Sequence, residues 1–430
     1  MMALSPENRL LVACIQAGVS ESAQKQIQDI FQFPIQWDGF LAAANWHSVT
    51  PLVYANLKDM PEGLRVPAQI MEQLKAAYYA TLARNMLLYS ELNKVLESFL
   101  HAGIEVILLK GSALAKTVYS DIGMRPMGDL DVLVKQEDLL KAEEILSSLG
   151  YHFHGGNSPE WWRENYCHIG YVRPEQSVMI ELHWHITCKT DSERIRHPDS
   201  GILEGLWERA CRREPFGDNV RVLSPEDALN HLCIHFLKHR FPYENNGIFT
   251  SKGALRQISD IIHLLKQCED EIDWEAAAIG KGLEGKDSLI AFVVSLIRNI
   301  TGDDIAAGHR RDCYRARSTD QEVLELMAKK IFVRDETPAG AARFAIDSLS
   351  EVRFRDKVRK IFGAVFPAPE VISKRYTVPL SSKRLYLYYF RRPFDLFMKH
   401  RKAISAIPRM KDDIILNRWI HSSGDMSDSP

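Results

Sequence analysis

The chain has 430 residues, 46% hydrophobic and 26% charged, globular values that exclude a wholly disordered or fibrous protein. Its formal charge of −2 shows no global basic excess of the kind that marks a nucleic-acid binder. No apolar run approaches the roughly 20 residues of a membrane span, and the N-terminus lacks a basic segment followed by an apolar one, so a cytoplasmic protein is expected. Seven scattered cysteines without a C-x-x-C pair point the same way, to reduced thiols rather than disulfides or a zinc ribbon.

Residues 1–103 read as helical. Leu82, Met86, Leu87, Tyr89, Leu92, Val95, Leu96 and Phe99 recur at near-helical spacing, and breaks fall at Pro34, Pro51, Pro61 and Pro67. Ile104–Leu109 is then a short apolar run suited to a buried strand, ending at Lys110-Gly111-Ser112. Ala113–Tyr119 reads as a helix, and a loop at Asp121–Gly128 leads to a strand over Asp129–Val134. A helix over Gln136–Leu149 closes at Gly150, and two paired strands follow, His168–Arg173 and Val178–Ile186, turning at Pro174-Glu-Gln. Ser224-Pro225-Glu226-Asp227 is a helix start, and helices are expected near 225–240, 253–267, 285–299 and 320–332. The fold class is therefore α+β, a small mixed sheet flanked by N- and C-terminal helical regions. The expected parts are a helical region 1–103, a core 104–187, a helical domain 188–345 forming the other side of a cleft, and a C-terminal region 346–430 with a disordered tail from Ser422.

Three features of the 104–187 core carry chemistry. A strand ending at Gly111-Ser112 where a helix starts offers backbone N–H groups to phosphate oxygens, with Lys110 adding charge; a tight turn is the plain alternative. Asp129 and Asp131, two apart in a strand, put both carboxylates on one face, and Mg²⁺ is the cation such oxygen ligands suit. Solvated acids on an exposed strand would look the same, although Val132-Leu-Val134 implies burial. Glu181, in an apolar strand, needs a partner; it is either the third carboxylate of that site or an ion-pair residue.

Gly-Ser, then Asp-x-Asp, then a glutamate in an apolar strand resembles the DNA polymerase β-type nucleotidyltransferase superfamily. More closely, Lys110-Gly111-Ser112-Ala-Leu, Tyr119, Gly123-Met-Arg125-Pro, Gly128-Asp129-Leu-Asp131-Val-Leu-Val and Glu181-Leu-His-Trp resemble the bacterial uncharacterised nucleotidyltransferase family. Its flanks are similar too, at Trp46-His47, Leu223-Ser-Pro-Glu-Asp227, His235-x-x-Lys238-His239-Arg240 and Asp260-Ile, so that the resemblance spans about residues 35–275. It implies a transferase using Mg²⁺, two ions, and a nucleoside triphosphate, ATP foremost. Asp129, Asp131 and Glu181 would be catalytic and metal-binding, and Lys110, Gly111 and Ser112 would hold phosphates. Arg125 would be a phosphate or substrate contact, with a loop salt bridge as its alternative. The implied acceptor bears a hydroxyl, in a peptide, protein, glycan or small molecule, and no template nucleic acid is expected. The rival reading is an inactive module that binds a nucleotide or partner.

Asp227, His231, His235 and His239 form one helical stripe, better read as lining a cleft than as a zinc site, because His231–His235 lacks the glutamate of a hydrolytic motif. Lys238, His239 and Arg240 are then candidate substrate contacts. His183 and His185 share a strand face with Glu181 and are expected to hydrogen-bond that carboxylate; Trp161, Trp162 and Trp184 are expected in the core. Residues 353–418 hold 17 Lys and Arg against 5 Asp and Glu, leaving the remainder at −14. This stretch, rich in aromatics, reads as a solvated face packed on the rest, as an anionic membrane contact, or as a docking surface for a peptide or nucleic acid.

Overall fold

The computed structural model describes residues 4–16, 18, 21–60, 66–186, 205–214, 216, 220–240, 250–273, 289–303, 321–333, 354–406 and 411–422. They divide into two compact units. The first comprises Met1–Leu237 and Ser251–Phe332, the second Lys238–Thr250 and Val333–Pro430.

The first unit is organised by an open seven-stranded mixed sheet. Its strands are β1 Val106–Leu108, β2 Leu130–Leu133, β3 His152–His154, β4 His168–Arg173, β5 Val178–His183, β6 Cys211–Arg212 and β7 Val220–Val222, in spatial order β3-β4-β5-β2-β1-β7-β6. The β4–β5 hairpin and its turn lie where the sequence puts them, closed by a helical turn at Pro174–Gln176 and by Ser177 in the left-handed region (φ 52°). β1 is shorter than the apolar run, because the chain leaves the ladder at Leu109 and the next helix begins at Lys110, three residues earlier than expected. β5 likewise stops at His183, so His185 lies beyond the strand rather than on its face. The helix read at 136–149 is a helical turn Gln136–Asp138 followed by Leu139–Ser148.

β3, β6 and β7 were not expected, and the last two draw the sheet past the 104–187 segment. β7 pairs parallel with β1, Val106 opposite Val220 and Leu108 opposite Val222, which gives β1 a second hydrogen-bonded neighbour. Two and three residues are too few for an alternation to register.

Both faces of the sheet are covered. One face, with Leu130, Val132, Ile180, Leu182, Ile169 and Tyr171, packs on the helix Ala68–His101 through Leu92, Val95 and Phe99, and on Leu139–Ser148 through Ala142 and Leu146. Ile107, Leu109 and Leu133 join Leu206, Leu223 and Ile234 on the other. Since successive residues of a strand alternate between faces, Asp131 shares this second face with Leu133. Pro67 stands as N-cap of the Ala68–His101 helix and Pro51 in the first turn of Thr50–Leu57, so these prolines mark helix starts. The helices after the sheet fall at Pro225–Arg240, Ala254–Gln267, Leu289–Thr301 and Gln321–Ile331.

Cys167 is disulfide-bonded, against the expectation of reduced thiols, while Cys14, Cys211, Cys233 and Cys268 are free. A count of cysteines carries no information on which of them meet in space. The second unit contains helices Phe354–Val365, Pro369–Tyr376, Leu385–Ala406 and Lys411–Ser422; residues 423–430 of the tail lie outside the described residues. No described helix is long and apolar enough to cross a membrane.

Candidate active site

β2 and β5 run parallel in a register that sets Asp131 directly opposite Glu181 and Leu133 opposite His183. Two residues along β5 from Glu181, His183 returns to the same face. Its Nε2 lies 3.1 Å from Asp131 Oδ1 and 3.5 Å from Glu181 Oε2. β4 adds His168, opposite His183 in the ladder; the two rings stack with centroids 4.8 Å apart, and His168 Nε2 is 4.0 Å from Glu181 Oε2. Asp129 stands one residue before β2 rather than inside it, yet is close enough to Asp131 and Glu181 for both to act on its charge.

The Lys110-Gly-Ser turn closes over this face. Leu109 N–H donates to the Asp131 carbonyl oxygen at 3.1 Å, carrying the chain from β1 past the carboxylates. Lys110 then adopts φ +41°, the left-handed region that costs a non-glycine residue free energy and persists where surroundings impose it. That turn drives the Lys110 ammonium into the acids, 2.5 Å from Asp131 Oδ1 and 3.7 Å from Glu181 Oε2. Ser112 is fully buried; its Oγ accepts the Asp131 N–H at 2.8 Å, and its carbonyl accepts the Tyr89 hydroxyl at 3.1 Å. Gly111 also meets a packing constraint. A Cβ there would stand 2.3 Å from an Arg125 guanidinium nitrogen, so a larger residue would have to displace that guanidinium from its place beneath the turn.

Arg125 takes the ion-pair alternative. Its Nε and Nη2 donate to the two carboxylate oxygens of Asp260, both at 2.8 Å, and Tyr119 donates its hydroxyl to Asp260 at 2.9 Å. Lys238, His239 and Arg240 form the last turn of the Pro225–Arg240 helix and group with the second unit; Arg240 is buried and donates to the Thr250 carbonyl oxygen at 2.7 Å. In the histidine stripe, Asp227 is held by Arg209 through two bonds of 2.8 and 2.9 Å, and His235 meets Gln257 at 3.1 Å. Trp162 and Trp184 pack partly buried against the core, whereas Trp161 is exposed.

The electrostatics separate the acids. Burial together with the Asp131 and Glu181 charges pushes Asp129 up to about 6. Burial alone would raise Asp131 as well, but Lys110 and His183 overcome it and hold its carboxyl well below the usual range. Glu181, also buried, is held lower by His183 and Lys110. Lys110 is raised, because the pull of Asp131 and Glu181 exceeds the cost of its burial.

Sequence reasoning missed Arg256 and the contacts of His168. Arg256 and Asp260 are one helical turn apart, so both fall on the side of Ala254–Gln267 that meets Arg125. Burial and the neighbouring Arg125 charge lower Arg256, against the opposing pull of Asp260 and Asp129. That spacing was the available signal. His168 is visible only through the β4–β5 register.

Lys110 is the ammonium in direct contact with Asp131 and Glu181, the Arg125 and Arg256 charges act on Asp129 from farther off, and a divalent cation suits the donor atoms that the acids present. Asp131, Glu181 and His183 present ligand atoms all within 4.8 Å of one another. Cys167, His168 and His183 are equally close, but the Cys167 sulfur is spent in its disulfide and offers no thiolate. Two carboxylates and one imidazole form a hard, mainly oxygen donor set. A model of the uncharacterised nucleotidyltransferase family matches residues 34–279, a span covering the helix Ala68–His101, the sheet and the Arg125–Asp260 pair. No curated protein and no solved structure matches the chain. The chain belongs to the uncharacterised nucleotidyltransferase family, and its carboxylate cluster lies inside the matched span.

Proposed function

We propose that this nucleotidyltransferase is a Mg²⁺-dependent enzyme. It would move a nucleoside monophosphate from a nucleoside triphosphate, ATP foremost, to a hydroxyl of a peptide, protein, glycan or small molecule, releasing pyrophosphate. The observation that carries this reading is the convergence of Asp129, Asp131 and Glu181 beside the strained Lys110 turn. Asp131, Glu181 and His183, with Asp129 adjoining, are the residues to hold the cation. When bound, it neutralises the triphosphate and the charge that grows on the leaving pyrophosphate.

The chain's own residues supply the rest. Lys110, freed from Asp131 once the carboxylates have another cation to face, is placed to grip phosphate oxygens, with N–H groups at the start of Lys110–Thr117 as further donors. Glu181 accepts the proton of the acceptor hydroxyl as its oxygen attacks the α-phosphorus. The bond from that phosphorus to the bridging oxygen breaks, and pyrophosphate departs with the electron pair. Ser112 fixes the Asp131 backbone, and Arg125 holds the loop beneath the turn, so both position the reacting groups.

A second reading, a binding module without turnover, draws on Lys110, whose ammonium already satisfies Asp131. Incubation with Mg²⁺, each labelled nucleoside triphosphate and cell extract separates the two. The enzyme reading expects label on an acceptor, pyrophosphate in solution, and loss of both by at least ~100-fold in Asp131→Asn. Nucleotide binding without either product would overturn it in favour of the module.

A further inference from the structure

In Leu385–Ala406 the usual roles of the two helix faces are exchanged. One side is packed: Leu385 and Arg392 are buried, Tyr389 donates its hydroxyl to the Pro367 carbonyl oxygen at 2.7 Å, and Tyr388 stacks on Tyr376 with centroids 4.5 Å apart. The opposite side carries Tyr386, Leu387, Phe390, Phe394 and Met398, between 46% and 84% exposed. Steps of three and four residues from Leu387 onward align these side chains into one stripe. An arginine turned inward and two phenylalanines turned outward is the reverse of what water selects, and a contiguous apolar stripe of this size marks a surface that something apolar covers.

The charges beside the stripe say what kind of surface covers it. Lys383, Arg384 and Arg391 are exposed at its edge, and Arg355 and Arg359 flank the exposed Val358 and Phe362 of the helix Phe354–Val365. Across 353–418 there are 17 Lys and Arg against 5 Asp and Glu. A second copy packed by the same face would set like charge against like. A surface both apolar at depth and anionic at its rim meets both requirements.

We propose that the outward face of Leu385–Ala406 is a membrane-binding surface for bilayers rich in anionic lipid. Phe390, Phe394 and Leu387 enter the boundary between headgroups and acyl chains, and Lys383, Arg384 and Arg391 stay at the lipid phosphates. The protein would then be peripheral, with no segment spanning the bilayer.

Flotation of the full chain with vesicles tests this. Phosphatidylcholine vesicles containing about 30 mol% phosphatidylglycerol should carry the protein at low salt at least ~10-fold better than phosphatidylcholine alone, and about 0.5 M NaCl should release most of it. The double variant Phe390→Ser/Phe394→Ser changes only exposed side chains, so its circular dichroism should match the parent while vesicle binding falls at least ~10-fold. Lys383→Glu/Arg384→Glu should lose binding to anionic vesicles by a comparable factor. Absence of flotation with anionic vesicles overturns the proposal, as does flotation that the phenylalanine variant leaves unchanged. Sedimentation velocity gives an independent check: an oligomer that the phenylalanine variant dissolves would show that a second copy covers the stripe, again overturning it. Retention of an oligonucleotide in place of vesicles would do the same in favour of nucleic acid.

Discussion

Two of the buried-charge clusters in the first unit meet at the Lys110-Gly111 turn, and they are built on opposite principles. Arg125 and Asp260 satisfy each other through two 2.8 Å bonds, Tyr119 completes the carboxylate, and the pair is nearly sealed from water. Asp131 and Glu181 share the Lys110 ammonium, from a lysine held in a costly backbone conformation, and Asp129 beside them feels Lys110, Arg125 and Arg256 only through their charge. The Arg125 and Asp260 charges are largely answered by each other. A less balanced cluster keeps its charge available, and the proposed function therefore gives support to the first and chemistry to the second.

The largest expected effect would break the closed cluster. Arg125→Ala strands a buried, uncompensated Asp260 and should lower stability by about 3–5 kcal/mol, read from urea midpoints. Arg125→Ala/Asp260→Ala should recover part of that loss, because the orphaned charge goes with its partner. If the single variant were as stable as the parent yet failed to bind nucleotide, Arg125 would belong to the reacting cluster and the contrast would fail.

The open cluster should respond to pH instead. Asp129 sits at about 6 in the folded, cation-free protein against an ordinary value near 4, so its charge costs stability above that range. As pH falls from 7 to 5 the folded state takes up a proton that the unfolded chain does not, and the gain should be about 1 kcal/mol. Thermal melts in chelator should therefore show a rise toward pH 5 that Asp129→Asn removes. A rise that survives in the variant would place the titrating group elsewhere.

Much of this contrast was written in the sequence, and what was hidden is instructive. Val178–His183 and His168–Arg173 announce themselves by apolar content and a Pro-Glu-Gln turn, and the three acids stand out because carboxylates are costly in such runs. The balance of Arg125 was invisible, since its partner is 135 residues away. β6 and β7 were too short to show a period, and the φ of Lys110 is imposed by the packing around it. In the second unit, the sequence shows a basic stretch rich in aromatics but not that a stripe of them turns outward on Leu385–Ala406; the burial of Leu385 and Arg392 opposite fixes that.

Ser112 lies on the border of the two clusters, and the smallest expected effect sharpens where that border runs. Its hydroxyl accepts the Asp131 N–H inside the protein, so Ser112→Ala leaves a buried donor unpaired and should cost about 1 kcal/mol of stability. The displaced Asp131 backbone should also loosen cation binding. A hydroxyl that worked only on phosphate would leave the melting temperature unchanged and raise KM for the nucleotide alone. Ser112→Thr keeps the acceptor but adds a methyl group to a fully buried site, so restored melting with impaired transfer would divide the bracing role from the binding one. Manganese titration of the parent and Ser112→Ala, followed by electron paramagnetic resonance, reads the cation site without turnover. A weaker site in the variant ties the serine to Asp131, while an unchanged site returns it to the phosphate.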